Sequence, residues 1–162
     1  MDTDYLKIDV EELLPHSGDM VLIDQMLDYG DDYGVSRVKV DATDKFFEED
    51  INGIHSAIGL EWMAQTIAAI AGIVALQNNR PVQVGFLLGS RKYEPAKSVF
   101  KLGEEYTIRV EQLYREENGL GAFQCTIHEG DKLIADAKLN VFAPDNVEKF
   151  LKGEVEWVGV FW

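Results

Sequence analysis

The chain has 162 residues, of which 29 are acidic and 15 are Lys or Arg, so its formal net charge is −14. This length suits one domain with a hydrophobic core, and we expect a single domain over residues 1–162 with an apolar tail over about 146–162. The negative charge excludes nucleic acids and anionic membranes as main partners, because their phosphates would repel the chain. One cysteine, Cys125, and three widely spaced histidines form neither a disulfide nor a zinc motif, so we predict no metal and no cofactor.

The location of the protein is predicted from its apolar segments. The first residues contain no basic stretch followed by an apolar run, so we expect no signal peptide and a cytoplasmic protein. The most apolar segment, residues 58–76, is interrupted by Glu61, Gln65 and Thr66. Its uninterrupted part is shorter than the roughly 20 residues that cross a bilayer. We therefore predict a helix buried inside a soluble fold.

In chain order, the pattern predicts a short amphipathic segment at residues 10–14, then strands on both sides of one long helix. Apolar and polar residues alternate in the strand segments, and glycine-rich turns separate them. The predicted strands are residues 20–29, 35–41, 82–93, 105–115, 121–128 and 132–142, and the helix is residues 56–78. Six antiparallel strands curled around one long helix make an α+β fold. For the apolar tail, two interpretations remain open: a last strand packed on the body, or a contact with another chain.

Glu61 is the candidate catalytic residue of the predicted helix. It lies near the amino end of an apolar element, and Gln65 shares its face because the two are four residues apart. A carboxyl group among apolar neighbours resists ionisation and suits a general acid. The alternative is an exposed glutamate that only favours the helix dipole. His55, just before the helix, and the backbone N–H of Gly59, which could polarise a carbonyl oxygen, favour the catalytic interpretation.

Three segments resemble the β-hydroxyacyl-acyl-carrier-protein dehydratases. Residues 14–24 (LPHSGDMVLID) resemble the opening of these enzymes, and residues 59–65 (GLEWMAQ) resemble their central-helix motif. Residues 85–93 (GFLLGSRKY) fall where their next strand lies. The resemblance spans about residues 8–143 and looks closest to the branch that includes the aryl polyene and 3-hydroxydecanoyl-acyl-carrier-protein dehydratases.

The resemblance implies a hot-dog fold and a dehydratase that converts a 3-hydroxyacyl thioester to the trans-2-enoyl product in fatty-acid or polyene biosynthesis. It implies a homodimer or higher oligomer with active sites at the interface, and an acyl-carrier-protein or CoA substrate. A histidine of one chain takes the C2 proton, and the helix acid of the other, here Glu61, protonates the departing hydroxyl. The substrate-binding residues that it suggests are His16, Gly59, Gln65, Phe86 and Leu87.

The sequence departs from the family at the catalytic histidine. That histidine usually lies fourteen residues before the acid, where this chain has Phe47. Aligning the phenylalanine pair at 46–47 with the family's pair places Asp50 opposite the histidine. We therefore expect His55 to be the base, and two alternatives stay open: no catalytic histidine at all, or His16 as the base. His128 precedes a surface turn and receives no role.

Two other functions stay open at this point. A hot-dog scaffold also supports acyl thioesterases, in which Glu61 would activate water. A non-catalytic acyl-binding subunit, paired with an active dehydratase of the same fold, would explain the missing histidine. Residues 80–115 carry seven basic and four acidic side chains, a net charge of +3. An acidic carrier protein could dock there, near Arg91, Lys92 and Lys97, unless these are only scattered solvated charges.

Overall fold

The computed structural model describes residues 4–82, 85–143 and 160–161, with backbone only at 86, 160 and 161. Helix α2 (Gly59–Gln77) is the element around which the other elements are arranged, and it is buried on most sides. Together with the turn before it, α2 is long and apolar enough to cross a membrane, but 67% of its most apolar window is buried inside the protein. The helix predicted over residues 56–78 is therefore the core helix of the fold.

Six long strands form the main sheet, as predicted, and a two-residue strand extends its edge. In chain order they are β1 (Gln25–Tyr29), β2 (Tyr33–Lys39), β5 (Phe86–Arg91), β7 (Glu105–Arg115), β8 (Leu120–Glu129), β9 (Lys132–Phe142) and β10 (Val160–Phe161). The order across the sheet is β1-β2-β7-β8-β9-β5-β10, and all neighbours are antiparallel. The two described tail residues thus form a last strand on the body, and the rest of the predicted tail lies outside the described residues.

A second, smaller sheet was not predicted. It consists of β3 (Phe47–Glu48), β4 (Gly53–His55) and β6 (Val99–Lys101), in the order β3-β4-β6. The segment before α2, where no strand was predicted, therefore pairs with the chain before β7. Strand β4 leads directly into the 3₁₀ turn Ser56–Ile58 and then into α2, so this sheet sets where the helix begins.

Two packing contacts fix α2 against the N-terminal segment and the sheets. Trp62 stacks on Phe100 with ring centroids 4.5 Å apart, and Tyr106 lies beside both rings. Further along, the short helix α1 (Val10–Leu13) crosses α2 at Gly72, where a Cβ atom would overlap the Leu13 carbonyl. Because a glycine stands there, the chain that follows α1 runs close to α2.

Candidate active site

Glu61 lies in the first turn of α2 with its side chain 31% exposed. Its Oε1 atom accepts a hydrogen bond from Gln65 Nε2 at 3.3 Å and lies 3.6 Å from His16 Nε2. Over residues 4–82 and 85–143, Oε2 has neither a hydrogen-bond nor an ion-pair partner. One oxygen of the carboxyl group is thus held by the protein, while the other is free to meet a substrate.

Gln65 ties the N-terminal segment to the helix. Its side chain is fully buried, and besides contacting Glu61 its Nε2 donates to the Met20 carbonyl at 2.7 Å. Its Oε1 accepts the N–H of Leu22 at 2.8 Å. The amide therefore holds the backbone on both sides of Val21 and the carboxyl group at once. The sequence predicted that Gln65 lies beside Glu61, but not its hydrogen bonds to the backbone of Met20 and Leu22. Every residue type has the same backbone groups, so the sequence does not indicate which of them a side chain will contact.

His16 is the histidine that the structure brings to Glu61. Its side chain is 4% exposed. Among the described residues, neither Nδ1 nor Nε2 has a hydrogen-bond partner, since 3.6 Å to Glu61 exceeds hydrogen-bond range. The imidazole is thus a buried polar group whose Nε2 lies close to the candidate acid.

His55 occupies a different place from the one expected of a base. It is exposed, at the end of β4, and its Nδ1 accepts the N–H of Ala57 at 3.1 Å, which caps the 3₁₀ turn before α2. A neutral imidazole has one lone pair, and here that lone pair serves the cap. Asp50, aligned with the family histidine, lies in the exposed 3₁₀ turn Glu49–Ile51.

Gly59 begins α2 in a crowded position. Its N–H donates to the Ala57 and Ser56 carbonyls, and the Ser56 carbonyl also accepts the hydroxyl of Tyr93. A Cβ atom at residue 59 would overlap that hydroxyl. Burial raises the pKa of Tyr93 to about 12, so the phenol stays protonated and keeps donating. The N–H expected to polarise a thioester oxygen is thus engaged within the helix start.

Two of the cavities in the described part of the chain border α2. The smaller, about 110 Å³, is lined mainly by apolar side chains, which include Ile58 and Trp62, together with Lys45 and three aspartates. Burial raises the pKa of two of them, Asp24 and Asp44, against the opposing effect of their backbone hydrogen bonds. The cavity therefore combines an apolar lining with acidic side chains beside the start of α2.

The larger cavity, about 220 Å³, is an apolar groove beside the second half of α2. Its apolar lining includes Ile67, Ala68, Ala71, Val74, Phe123 and Val141, and Arg80 and Arg115 border it. Ala68 is two helical turns beyond Glu61 on the same side of α2, so the groove begins roughly 10 Å from the carboxyl group along the helix.

The other predicted binding residues lie elsewhere. Leu87 in β5 is partly buried and packs against the core, and the backbone of Phe86 pairs with Phe142 and Phe161. Of the predicted docking cations, Lys97 is engaged by Glu129 at 2.8 Å, which lowers the pKa of that carboxyl. Arg91 and Lys92 are exposed at the end of β5, without an ion pair to any described residue.

Other reactive groups do not form a second centre. Over residues 4–82, 85–143 and 160–161, no cluster of three or more His, Cys, Asp or Glu side chains could hold a metal ion. Cys125 is buried in β8, and burial raises the pKa of its thiol, so it stays protonated and is a poor nucleophile. Glu61 lies about two helical turns from the larger cavity, whose own lining includes one acid, Asp31.

A long central helix wrapped by an antiparallel sheet is the arrangement of the hot-dog fold. The dehydratase heterocomplex ApeI:P from Xenorhabdus doucetiae has this fold, with a TM-score of 0.83 and 24% identity over 91% of this chain and 99% of that one. A hypothetical thioesterase with coenzyme A from Streptococcus pneumoniae TIGR4 is more distant, with a TM-score of 0.55 and 16% identity over 72% and 82% of the two chains.

Within that class, residues 8–152 match the model of the ApeP-like family, described as ApeP dehydratase, and the chain belongs to this family. A similar protein is the 3-hydroxyacyl-[acyl-carrier-protein] dehydratase FabZ of Chlamydia trachomatis serovar L2. It is 28% identical over 138 residues, which are 82% of this chain and 88% of the relative. Family and relative together confirm the predicted resemblance and identify a hot-dog protein of the 3-hydroxyacyl dehydratase type.

Proposed function

We propose that this protein dehydrates 3-hydroxyacyl chains carried as thioesters on an acyl carrier protein, in the cytoplasm, and releases the trans-2-enoyl product. The observation that carries the proposal is the Glu61 carboxyl group. It is partly exposed, Oε1 is held by Gln65, and Oε2 is free. A carboxyl group arranged in this way can give a proton to a leaving hydroxyl.

The chemistry needs an acid and a base. A base removes the C2 proton of the thioester, and that C–H electron pair becomes the C2–C3 double bond. The C3–O bond breaks, its electrons leave with the oxygen, and the proton on Glu61 Oε2 converts the departing hydroxide to water. The acyl chain beyond C3 lies along α2 in the groove lined by Ala68 and Ala71.

His55 is the base that the sequence favours, and it is close to the start of α2. In the observed conformation its lone pair accepts the Ala57 N–H, so the neutral ring carries its proton on Nε2. His55 becomes a base only when this cap opens. Gly59 has a parallel constraint, because its N–H must leave the Ala57 and Ser56 carbonyls before it can hold a thioester oxygen.

The hydrogen bond from the Ala57 N–H to His55 also favours a second candidate function. In it, a partner subunit of the hot-dog fold supplies the base, and this chain supplies Glu61 and the groove. Asp50 lies where the family alignment expects the histidine, and a carboxylate is intrinsically a weaker base than an imidazole. The structurally similar ApeI:P protein is a heterocomplex of dehydratases. In this arrangement the oligomer is a heteromer, whereas His55 as base requires only copies of this chain.

The test incubates a chain-length series of 3-hydroxyacyl-carrier-protein thioesters with the purified protein, alone and mixed with a separately purified dehydratase subunit of the ApeI type. Mass spectrometry measures loss of water, and a thiol reagent measures released carrier thiol. Enoyl product from the protein alone supports the first candidate, and product only from the mixture supports the second. Free thiol without enoyl product identifies a thioesterase instead.

Glu61→Gln is the decisive variant in either case. It keeps the side chain's size and removes the transferable proton, so the rate should fall about 10²- to 10⁴-fold. Glu111→Gln, an exposed glutamate of β7, is the matched control and should keep full activity. A fully active Glu61→Gln protein would overturn the assignment.

A further inference from the structure

Two side-chain nitrogens of the protein approach the same oxygen of Glu61. Gln65 Nε2 donates to Oε1 at 3.3 Å, and His16 Nε2 lies 3.6 Å from the same atom. The other oxygen has no partner among residues 4–82 and 85–143. The carboxyl group is therefore asymmetric, with a held oxygen and an open one.

The order of burial separates the roles of His16 and Glu61. The His16 side chain is 4% exposed and that of Glu61 is 31% exposed, so a ligand arriving from solvent meets the carboxyl group first. With both of its nitrogens buried, the imidazole is less accessible to a ligand than the carboxyl group. His16 is thus placed as a group that acts on Glu61 rather than on the reacting carbon atoms.

The backbone around His16 is anchored on both sides. Leu13 and Leu14 are buried, and Leu13 lies against Gly72 of α2. On the other side, the N–H of Gly18 donates to the Glu11 carboxylate at 3.1 Å. Both ring nitrogens are buried and have no hydrogen-bond partner among the described residues. Because buried polar groups normally have partners, leaving the ring without one costs free energy, and an interaction with Glu61 would offset that cost.

Resting on the proposed dehydration, we propose that His16 is a positioning residue that donates from Nε2 to Glu61 Oε1 during proton transfer. Glu61 carries its proton on Oε2 and gives it to the C3 hydroxyl. The negative charge that remains is shared with Oε1, where His16 and Gln65 now both donate. Their hydrogen bonds to an anionic oxygen are stronger than to the neutral acid, so they favour the transfer.

Activity is tested with a pair of substitutions. His16→Phe keeps a flat ring without a donor and should lower kcat about ten- to hundredfold, with KM changed less than about twofold. His16→Gln restores an N–H donor and should recover most of that loss. His128→Phe, in β8, is the control and should keep kcat. Unchanged kcat in His16→Phe, or an equal loss in both His16 variants, would overturn the proposal.

A measurement that needs no catalysis tests the role of His16 separately from the proposed dehydratase activity. The ¹⁵N chemical shifts of the imidazole nitrogens are recorded by NMR at one pH for the unaltered protein and for Glu61→Gln, which leaves His16 and its packing in place. We expect both His16 shifts to change and those of His128 to stay. Unchanged His16 shifts would overturn the inference. If the protein acts on no hydroxyacyl thioester, the proposed function fails and the NMR comparison alone decides the role of His16.

Discussion

The N–H of Ala57 donates to Nδ1 of His55 at 3.1 Å, immediately before the helix that carries Glu61. This bond gives His55 a structural task, because it satisfies a backbone donor at the start of the 3₁₀ turn. The same lone pair would be needed for proton abstraction. His55 Nδ1 therefore cannot accept the Ala57 N–H and a substrate proton at the same time.

Substitution by Asn and by Ala separates these two tasks. Asn caps helix starts well, so His55→Asn should unfold within about 0.5 kcal/mol of the unaltered protein, whereas His55→Ala should lose about 1 kcal/mol. Urea denaturation measures both values. If His55 is the base, both variants lose the dehydratase activity. If it is only a cap, His55→Asn keeps full activity, and the partner-subunit candidate gains support.

Gln65 should matter to stability as much as to catalysis. Gln65→Leu removes three hydrogen bonds and leaves the Met20 carbonyl and the Leu22 N–H unpaired in a partly buried place. We expect a loss of about 2–4 kcal/mol in the free energy of unfolding, measured by urea denaturation. Gln124→Leu, at an exposed residue with one long hydrogen bond, is the control and should cost less than about 0.5 kcal/mol. If Gln65→Leu and Gln124→Leu had the same free energy of unfolding, the three hydrogen bonds of Gln65 would not contribute to stability as expected.

Much of the fold was predictable because its signals are local. The apolar run that forms α2 and the alternation in β7, β8 and β9 are readable from neighbouring residues. The short strands β3, β4 and β6 have two or three residues each, too few to show a period, and only their mutual pairing defines them. Residue pattern therefore predicted the main sheet and missed the smaller one.

The candidate site was predictable for its acid and less so for what surrounds it. Glu61 and Gln65 are four residues apart on one helix, so their proximity follows from helix geometry. His55 is closer to Glu61 along the chain than His16, which made it the preferred base. The structure sets His16 beside Glu61 because α1 packs on Gly72, a contact between distant segments that residue types alone do not reveal.

The groove beside α2 should set the acyl chain length. Ala71 is exposed within it, so Ala71→Leu adds apolar volume to the groove without disturbing the core. Each methylene of the substrate that is no longer buried in the groove costs about 0.8 kcal/mol. The value of kcat/KM should therefore fall about tenfold or more for the longest acyl chains and stay unchanged for short ones. Gln77→Leu, at the exposed end of α2, is the control. A uniform fall across all chain lengths would show that the groove does not hold the chain.

Arg91 and Lys92 are the exposed cations best placed to meet an acidic carrier, since Lys97 is engaged by Glu129. Reversing both charges in Arg91→Glu/Lys92→Glu should raise KM for the acyl-carrier-protein substrate about three- to tenfold at low salt, because exposed charge pairs contribute modestly and are screened. The same variant should keep its KM for an uncharged N-acetylcysteamine thioester. Lys7→Glu, an exposed cation at the N-terminal turn, serves as the control and should change neither value. Equal effects on both substrates would place these cations at the catalytic cleft, and no effect on either would leave carrier docking to another surface.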